Sequence, residues 1–190
     1  MKKILSIVLI VIFSLSLVAC DLFKKDNSIE KLNELSQKTY NKVELNVTIE
    51  KNGHTLTSKY VLSAGKIEYT VEQMSLLSPD NIPNDIKTVY RGTATVENGV
   101  ITKVDGDAIT LPEYETLSGS FSFSESYFKS VLSYTGHFVA SVADPSAFIG
   151  TDADVKNMKV EVKYTDTALT TISIGYGVSG ERTELLYKFS

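Results

Sequence analysis

The chain has 190 residues, 43% hydrophobic and 22% charged, with a formal net charge of −4, one cysteine, two histidines and no tryptophan. That length suits one domain, or two small ones, with a sizeable core. A mildly acidic balance lacks the basic stripe of a nucleic-acid binder, and a lone cysteine excludes an intrachain disulfide or a multi-thiolate metal site.

The first twenty residues fall into three zones. Lys2 and Lys3 make a short basic start, Ile4 to Val18 is apolar apart from Ser6, Ser14 and Ser16, and Leu17-Val18-Ala19-Cys20 follows. A basic start, an apolar run and small residues before a cut are the parts of a secretory signal. An apolar run of about 15 residues is short for a spanning helix, which needs roughly 20. Leu17-Val18-Ala19-Cys20 resembles the lipobox of bacterial lipoproteins, with an aliphatic first position and a small residue before the Cys. The resemblance implies that the Cys20 thiol carries diacylglycerol, that the chain is cut before it, and that the new amine can be acylated. Residues 1–19 are then a signal peptide, 20–27 a lipid-anchored tether and 28–190 a single domain at the extracytoplasmic face of the cell membrane. Cleavage of 19 of the 190 residues leaves 171 and removes Lys2 and Lys3, which moves the net charge from −4 to −6. The competing reading is an ordinary signal peptide with an incidental Cys, or an uncut anchor. Two acyl chains would hold where one binds only marginally, since each buried CH₂ contributes about 0.8 kcal/mol. Asp21 resembles an inner-membrane retention signal of diderm cells and would carry no message in a monoderm one.

Asn27-Ser28-Ile29-Glu30 has the capping-box spacing, and Ile29, Leu32 and Leu35 give an apolar stripe, which predicts a helix over about residues 28–40. The period then changes to two. Val43, Leu45, Val47 and Ile49 alternate with polar residues up to Asn52-Gly53, the strongest short hairpin signal. A return strand through Leu56, Tyr60 and Leu62, a Ser63-Ala64-Gly65 turn, and Ile67, Tyr69 and Val71 complete a meander. Residues 75–87 break the pattern with Pro79 and Pro83. Further strands are expected at 88–96, 100–104 and 108–111, with turns at Glu97-Asn98-Gly99 and Asp105-Gly106-Asp107. A second, inserted helix is expected from about Ser124, with Tyr127, Phe128, Val131 and Leu132 on one face and Ser122 with Glu125, or Ser124 alone, as cap. Residues 134–142 fit either helix or strand, and one short helical turn is expected around Ser146 to Ile149. Strands through Met158–Tyr164, Leu169–Val178 and Leu185–Phe189 end the chain. Lys42-Val43-Glu44-Leu45 and Lys159-Val160-Glu161-Val162 look alike, which raises an internal duplication as an alternative to plain compositional similarity.

These elements define an α+β, mostly antiparallel β protein: a curved, one-sided sheet of about 8–10 strands with an N-terminal and an inserted helix. Two helices about 10–12 Å wide cannot cover that many strands at about 4.8 Å spacing. The sheet must curl, recruit residues 75–87 as a lid, or leave an apolar cavity. The element order resembles the half-barrel fold of periplasmic lipoprotein carriers and their outer-membrane receptors, which implies a cavity for acyl chains. Other curved-sheet lipoproteins that bind lipids are an equal match.

Candidate chemistry is sparse. His54 and His137 each lack a second His or Cys nearby in the chain. Ser126 and Lys129 have Ser-x-x-Lys spacing without the companion elements of penicillin-binding enzymes, and Ser28 with Lys31 repeats that spacing. Asp105 with Asp107, and Asp144 with Asp152 and Asp154, fall short of the calcium-loop pattern. The ten Tyr and eight Phe fall mostly on alternating apolar positions, where packing explains them first. Asn46-Val47-Thr48 is a formal glycosylation triplet with no meaning in a bacterial lipoprotein. No enzyme activity, cofactor or metal is expected. The expected role is a membrane-anchored lipoprotein whose concave sheet face holds a lipid or other apolar ligand. The alternative is a structural lipoprotein that docks an envelope protein on its polar face.

Overall fold

A computed structural model describes residues 28–75, 86–149 and 154–190. Cys20, the tether and most of the expected 75–87 lid lie outside the described residues, as does Asp152. Helix α1 spans Ser28–Ser36, followed by strands β1 (Lys42–Lys51), β2 (His54–Ser63), β3 (Lys66–Ser75), β4 (Ile86–Glu97) and β5 (Val100–Gly106). Helix α2 (Tyr114–Ser118) and a 3₁₀ turn (Glu125–Tyr127) precede β6 (Phe128–Tyr134) and β7 (His137–Val142). After α3 (Pro145–Ile149) come β8 (Val155–Tyr164), β9 (Leu169–Val178) and β10 (Glu181–Phe189).

All ten strands belong to one open antiparallel sheet in the order β5-β4-β3-β2-β1-β10-β9-β8-β7-β6. Four hairpins close on an X-Gly pair with both residues at positive φ: Asn52-Gly53, Ala64-Gly65, Asn98-Gly99 and Ser179-Gly180. Such turns twist with the right-handed strands they join, so the turn residues alone dictate much of the meander. The first meander runs outward from the sheet centre and the second runs back inward, so β1 and β10, the first and last strands, pair in the middle.

The register carries one side-chain row across the sheet. Tyr69, Tyr60, Leu45, Tyr187, Ile172, Val162 and Phe138 lie side by side on β3, β2, β1, β10, β9, β8 and β7. All seven are buried. On β4 the row continues to Gly92, where any Cβ would collide with the Tyr69 ring, so the glycine makes room for the tyrosine. Because side chains alternate, the neighbouring row falls on the opposite face. It runs Glu68, Val61, Glu44, Lys188, Thr171, Lys163, His137 and Tyr134. One face is therefore apolar and the other polar.

The apolar face is covered mainly by a connection that no helical pattern announces. β5 and β6 are the two edges of the sheet, so residues 107–127 must travel from one edge to the other. Nine inter-strand steps of about 4.8 Å make roughly 43 Å. Twenty-one residues exceed that reach when extended at about 3.3–3.6 Å each. The crossing segment supplies Leu117 and Phe123 to the core, with Phe121 packed against it. α1 adds fully buried Leu32 and Leu35, and α3 adds Phe148, which stacks on Phe121 at 5.7 Å between ring centres.

A buried extended segment needs partners for its backbone. Here α1 provides them. Asn33 Nδ2 donates to the Phe123 carbonyl at 2.7 Å, and its Oδ1 accepts the Phe123 N–H at 2.8 Å. One turn on, Ser36 Oγ donates to the Phe121 carbonyl at 2.6 Å and accepts the Phe121 N–H at 2.9 Å. Two short polar side chains thus act as a surrogate strand. The helix ends at Ser36, not near residue 40, because the chain turns there: the Tyr40 hydroxyl donates to the Leu35 carbonyl and accepts the Leu169 N–H, tying the helix end to β9.

Two expectations require correction. The inserted helix from Ser124 is absent; the Ser124 side chain makes no capping bond, and after one 3₁₀ turn the chain becomes β6. Pairing with β7 overrides the helical spacing there, so Val131 and Leu132 stand 43% and 63% exposed on an edge strand. Residues 108–111 form no strand, because after Gly106 the chain leaves β4 to start its crossing; Asp107 N–H still bonds the Arg91 carbonyl. The two similar tetrapeptides sit at unlike positions, on central β1 and on β8, the eighth strand in sheet order. The short helical turn expected around Ser146 to Ile149 is α3.

Candidate functional site

Among the described residues the cover stops short at one end of the apolar face. Around the β9–β10 hairpin a cavity of about 430 Å³ remains. Its floor is Leu45, Val47 and Ile49 of β1, Leu185 and Thr183 of β10, and Tyr176 and Val178 of β9. Val155, Ile149 of α3, and Pro112 and Thr116 of the crossing segment form its walls. The alternating strand pattern puts these apolar residues on one face, and the short α2 and α3 reach only its margins. That volume falls within the roughly 300–1,000 Å³ of ligand pockets, which are typically apolar with a few placed polar groups.

The polar groups gather at the hairpin end. Thr183 and Tyr176 are direct cross-strand partners, and Glu181 lies two residues before Thr183, on the same face. Burial raises the Tyr176 phenol above its ordinary pKa; a hydrogen bond with Thr183 opposes this and the Glu181 carboxylate adds to it. Lys51 of β1 reaches Glu181 at 3.7 Å, outside the lining. Deeper in the same core, burial holds the Tyr187 phenol far above its ordinary value.

The polar face carries a second depression, of about 490 Å³, over Ser173, Gly175 and Gly177 of β9. Lys159 and Glu161 of β8 and Arg182 and Glu184 of β10 flank it. Beside it a bulge at Asn157 of β8, with φ 56°, shifts the β8–β9 register by one residue.

The residues singled out from sequence do not converge. His54 and Lys51 are partners at the β1–β2 turn, remote in the sheet from His137 on β7. Ser126 lies on the 3₁₀ turn with its hydroxyl 2.8 Å from that of Ser124, while Lys129 is on β6, so their spacing never becomes a helical pair. Lys31 pairs instead with Glu34 at 3.1 Å. Asp105 pairs with Lys103 at 2.8 Å, Asp107 accepts the Arg91 N–H at 2.7 Å, and Asp154 pairs with Lys156 at 3.2 Å. Among the described residues no group of three or more His, Cys, Asp or Glu could hold a metal ion. Asn46 donates to Glu44 at 3.1 Å on the polar face.

One constellation was invisible in the chain. His137 Nε2 lies 2.9 Å from Glu161 Oε1, and its Nδ1 meets the Tyr134 hydroxyl. Tyr134 and His137 flank a two-residue turn, and Glu161 arrives from β8, so only strand pairing unites them. The array is at the polar face beside the sheet edge, where Lys163 also pairs with Glu161 at 3.4 Å. Cross-strand pairing of this kind stabilises a sheet without further purpose.

No protein-family model matches the chain, and no curated protein matches it. Among the described residues no helix is long and apolar enough to cross a membrane.

Proposed function

We propose that this chain is a lipoprotein anchored by acyl chains on Cys20 at the extracytoplasmic face of a cell membrane, and that its sheet holds a lipid or other apolar ligand. In this reading the ten strands curve into a half-barrel-like trough. The observation that carries it is the 430 Å³ apolar cavity left between β1, β9 and β10 on one side and α3 with the crossing segment on the other. Clefts of this size lined mainly by apolar side chains are the usual form of a small-molecule site. The short tether from Asp21 to Asn27 would keep the domain close to the membrane, so the ligand comes from there. The test is extraction of the full chain from its own membranes, followed by native mass spectrometry. A bound lipid-sized mass that is lost on replacing Val47 by Trp supports the reading, whereas a ligand-free spectrum under conditions that preserve known lipid carriers counts against it.

A second reading, docking of an envelope protein, draws support from the edge strand β6, where Val131, Leu132 and Tyr134 are exposed beside an unpaired strand edge. Crosslinking in intact membranes would test it, and recovery of the chain alone would count against it.

A further inference from the structure

The cavity is not uniformly apolar, and its polarity has a direction. Along β1 and β10 the facing pairs pass from Leu45 with Tyr187, through Val47 with Leu185, to Ile49 with Thr183. The next position outward is the ion pair of Lys51 with Glu181. Successive pairs on one face are two residues apart, about 6.8 Å in an antiparallel strand. A ligand lying along this axis therefore meets hydrocarbon at one end and hydroxyl and carboxylate groups at the other.

The charge at the polar end is one-sided. Among the described residues that line the cavity Glu181 is the one with an acidic or basic side chain, and Lys51 stands outside the lining with its ammonium 3.7 Å from the carboxylate, longer than a hydrogen bond. Tyr176 and Thr183 face each other as cross-strand partners, and the Glu181 carboxylate is the charged acceptor among the described lining residues, best placed for a donor headgroup. An ionised carboxylate accepts hydrogen bonds and donates none. A second anion beside it would meet like-charge repulsion in partly desolvated surroundings, while an ammonium or hydroxyl group would gain a charge-assisted bond.

We propose that the cavity takes a single-chain amphiphile whose headgroup is a hydrogen-bond donor, either an uncharged polyol or an ammonium group, and discriminates against carboxylate headgroups through Glu181. This rests on the reading of the cavity as a lipid site. The experiment uses the full chain in phospholipid vesicles, with diazirine-bearing analogues of dodecylamine, monolauroylglycerol and laurate at equal mole fraction. The pH is set so that the fatty acid is ionised. After photolysis, labelling of the β1 and β10 peptides is quantified by mass spectrometry.

The amine and the glycerol ester should label those peptides at least roughly tenfold more than laurate, since like-charge juxtaposition costs several kcal/mol and Lys51 and solvent at this open end offset part of it. Glu181→Gln should reduce the difference to about threefold or less, and Lys51→Met, which strips the carboxylate of its counter-ion, should widen it. Val47→Trp should abolish labelling by all three. Equal labelling by all three probes in the unaltered chain, or a preference for laurate, overturns the headgroup inference and leaves the cavity standing. Absence of labelling by any probe overturns the lipid-site reading itself. A tenfold preference that survives Glu181→Gln also overturns the assignment, because the selectivity then lies elsewhere.

Discussion

Replacing Asn33 by Ala tests whether the crossing segment is held by α1 or only by the packing of its aromatic rings. The substitution removes the 2.7 Å bond to the Phe123 carbonyl and the 2.8 Å bond from its N–H. Two backbone groups beside a buried phenylalanine then lose their partners. An unsatisfied buried group costs about 1–3 kcal/mol, and Asn33 is itself partly exposed, so water can recover some of the loss. The expected destabilisation is about 2–4 kcal/mol. For a chain of this size that lowers the melting temperature by roughly 5–15 °C. Urea denaturation followed by far-UV circular dichroism measures it, with near-UV tyrosine signals as second probe because the chain has no tryptophan. Asn33→Asp should cost at least as much as Asn33→Ala, since it keeps an acceptor for the N–H and sets a carboxylate oxygen against the Phe123 carbonyl. Ser36→Ala should be non-additive with Asn33→Ala, as both side chains hold the same strand-like segment. A loss below about 0.5 kcal/mol for Asn33→Ala would refute the reasoning: ring packing alone would then hold the segment.

Three further outcomes are expected. Gly119→Ala places a Cβ 2.9 Å from both the Phe189 and Tyr187 rings at a residue with φ 66°, so overpacking and left-handed strain together should cost about 2–4 kcal/mol by the same denaturation assay. Phe138→Ala, at a fully buried position in the cross-sheet row, should lose about 3–5 kcal/mol, with the urea midpoint lowered at unchanged slope. Glu44 is held down at a pKa of about 2, first by the hydrogen bond from Asn46, then by Lys59 and Lys188, against the opposing effect of burial. A depressed carboxylate contributes stability that is complete above its unfolded pKa of about 4.3 and lost as pH falls through the folded value. Urea midpoints should therefore fall between about pH 4.5 and 2 in the unaltered chain. Glu44→Gln should flatten that part of the profile by on the order of 1 kcal/mol, less than the shift alone implies, because Lys59 and Lys188 are half exposed and screened.

Much of the sheet was legible because its information is local. Asn52-Gly53, Asn98-Gly99 and Ser179-Gly180 encode their turns in two residues, and the alternation from Val43 to Ile49 names the buried face without reference to any partner. The same locality misled at Tyr127 to Leu132, where a helix-like spacing of apolar residues is spent on an exposed edge strand, because His137–Val142 offers a ladder that the spacing cannot anticipate. Nothing near Asn33 and Ser36 in the chain indicates that they serve Phe123 and Phe121, 90 and 85 residues away.

The cavity shows where this boundary lies. That so many one-faced strands would exceed the cover of two helices follows from strand count and spacing, both readable along the chain, as are the Cys20 motif and the hairpin turns. The pairing of β1 with β10, the crossing of residues 107–127 between the two edges as the main cover, and the place of the gap beside Glu181, Tyr176 and Thr183 are set by the folded chain as a whole. A turn is a property of two residues, whereas which strands become neighbours and which part of a face stays open depends on burial summed over the whole chain.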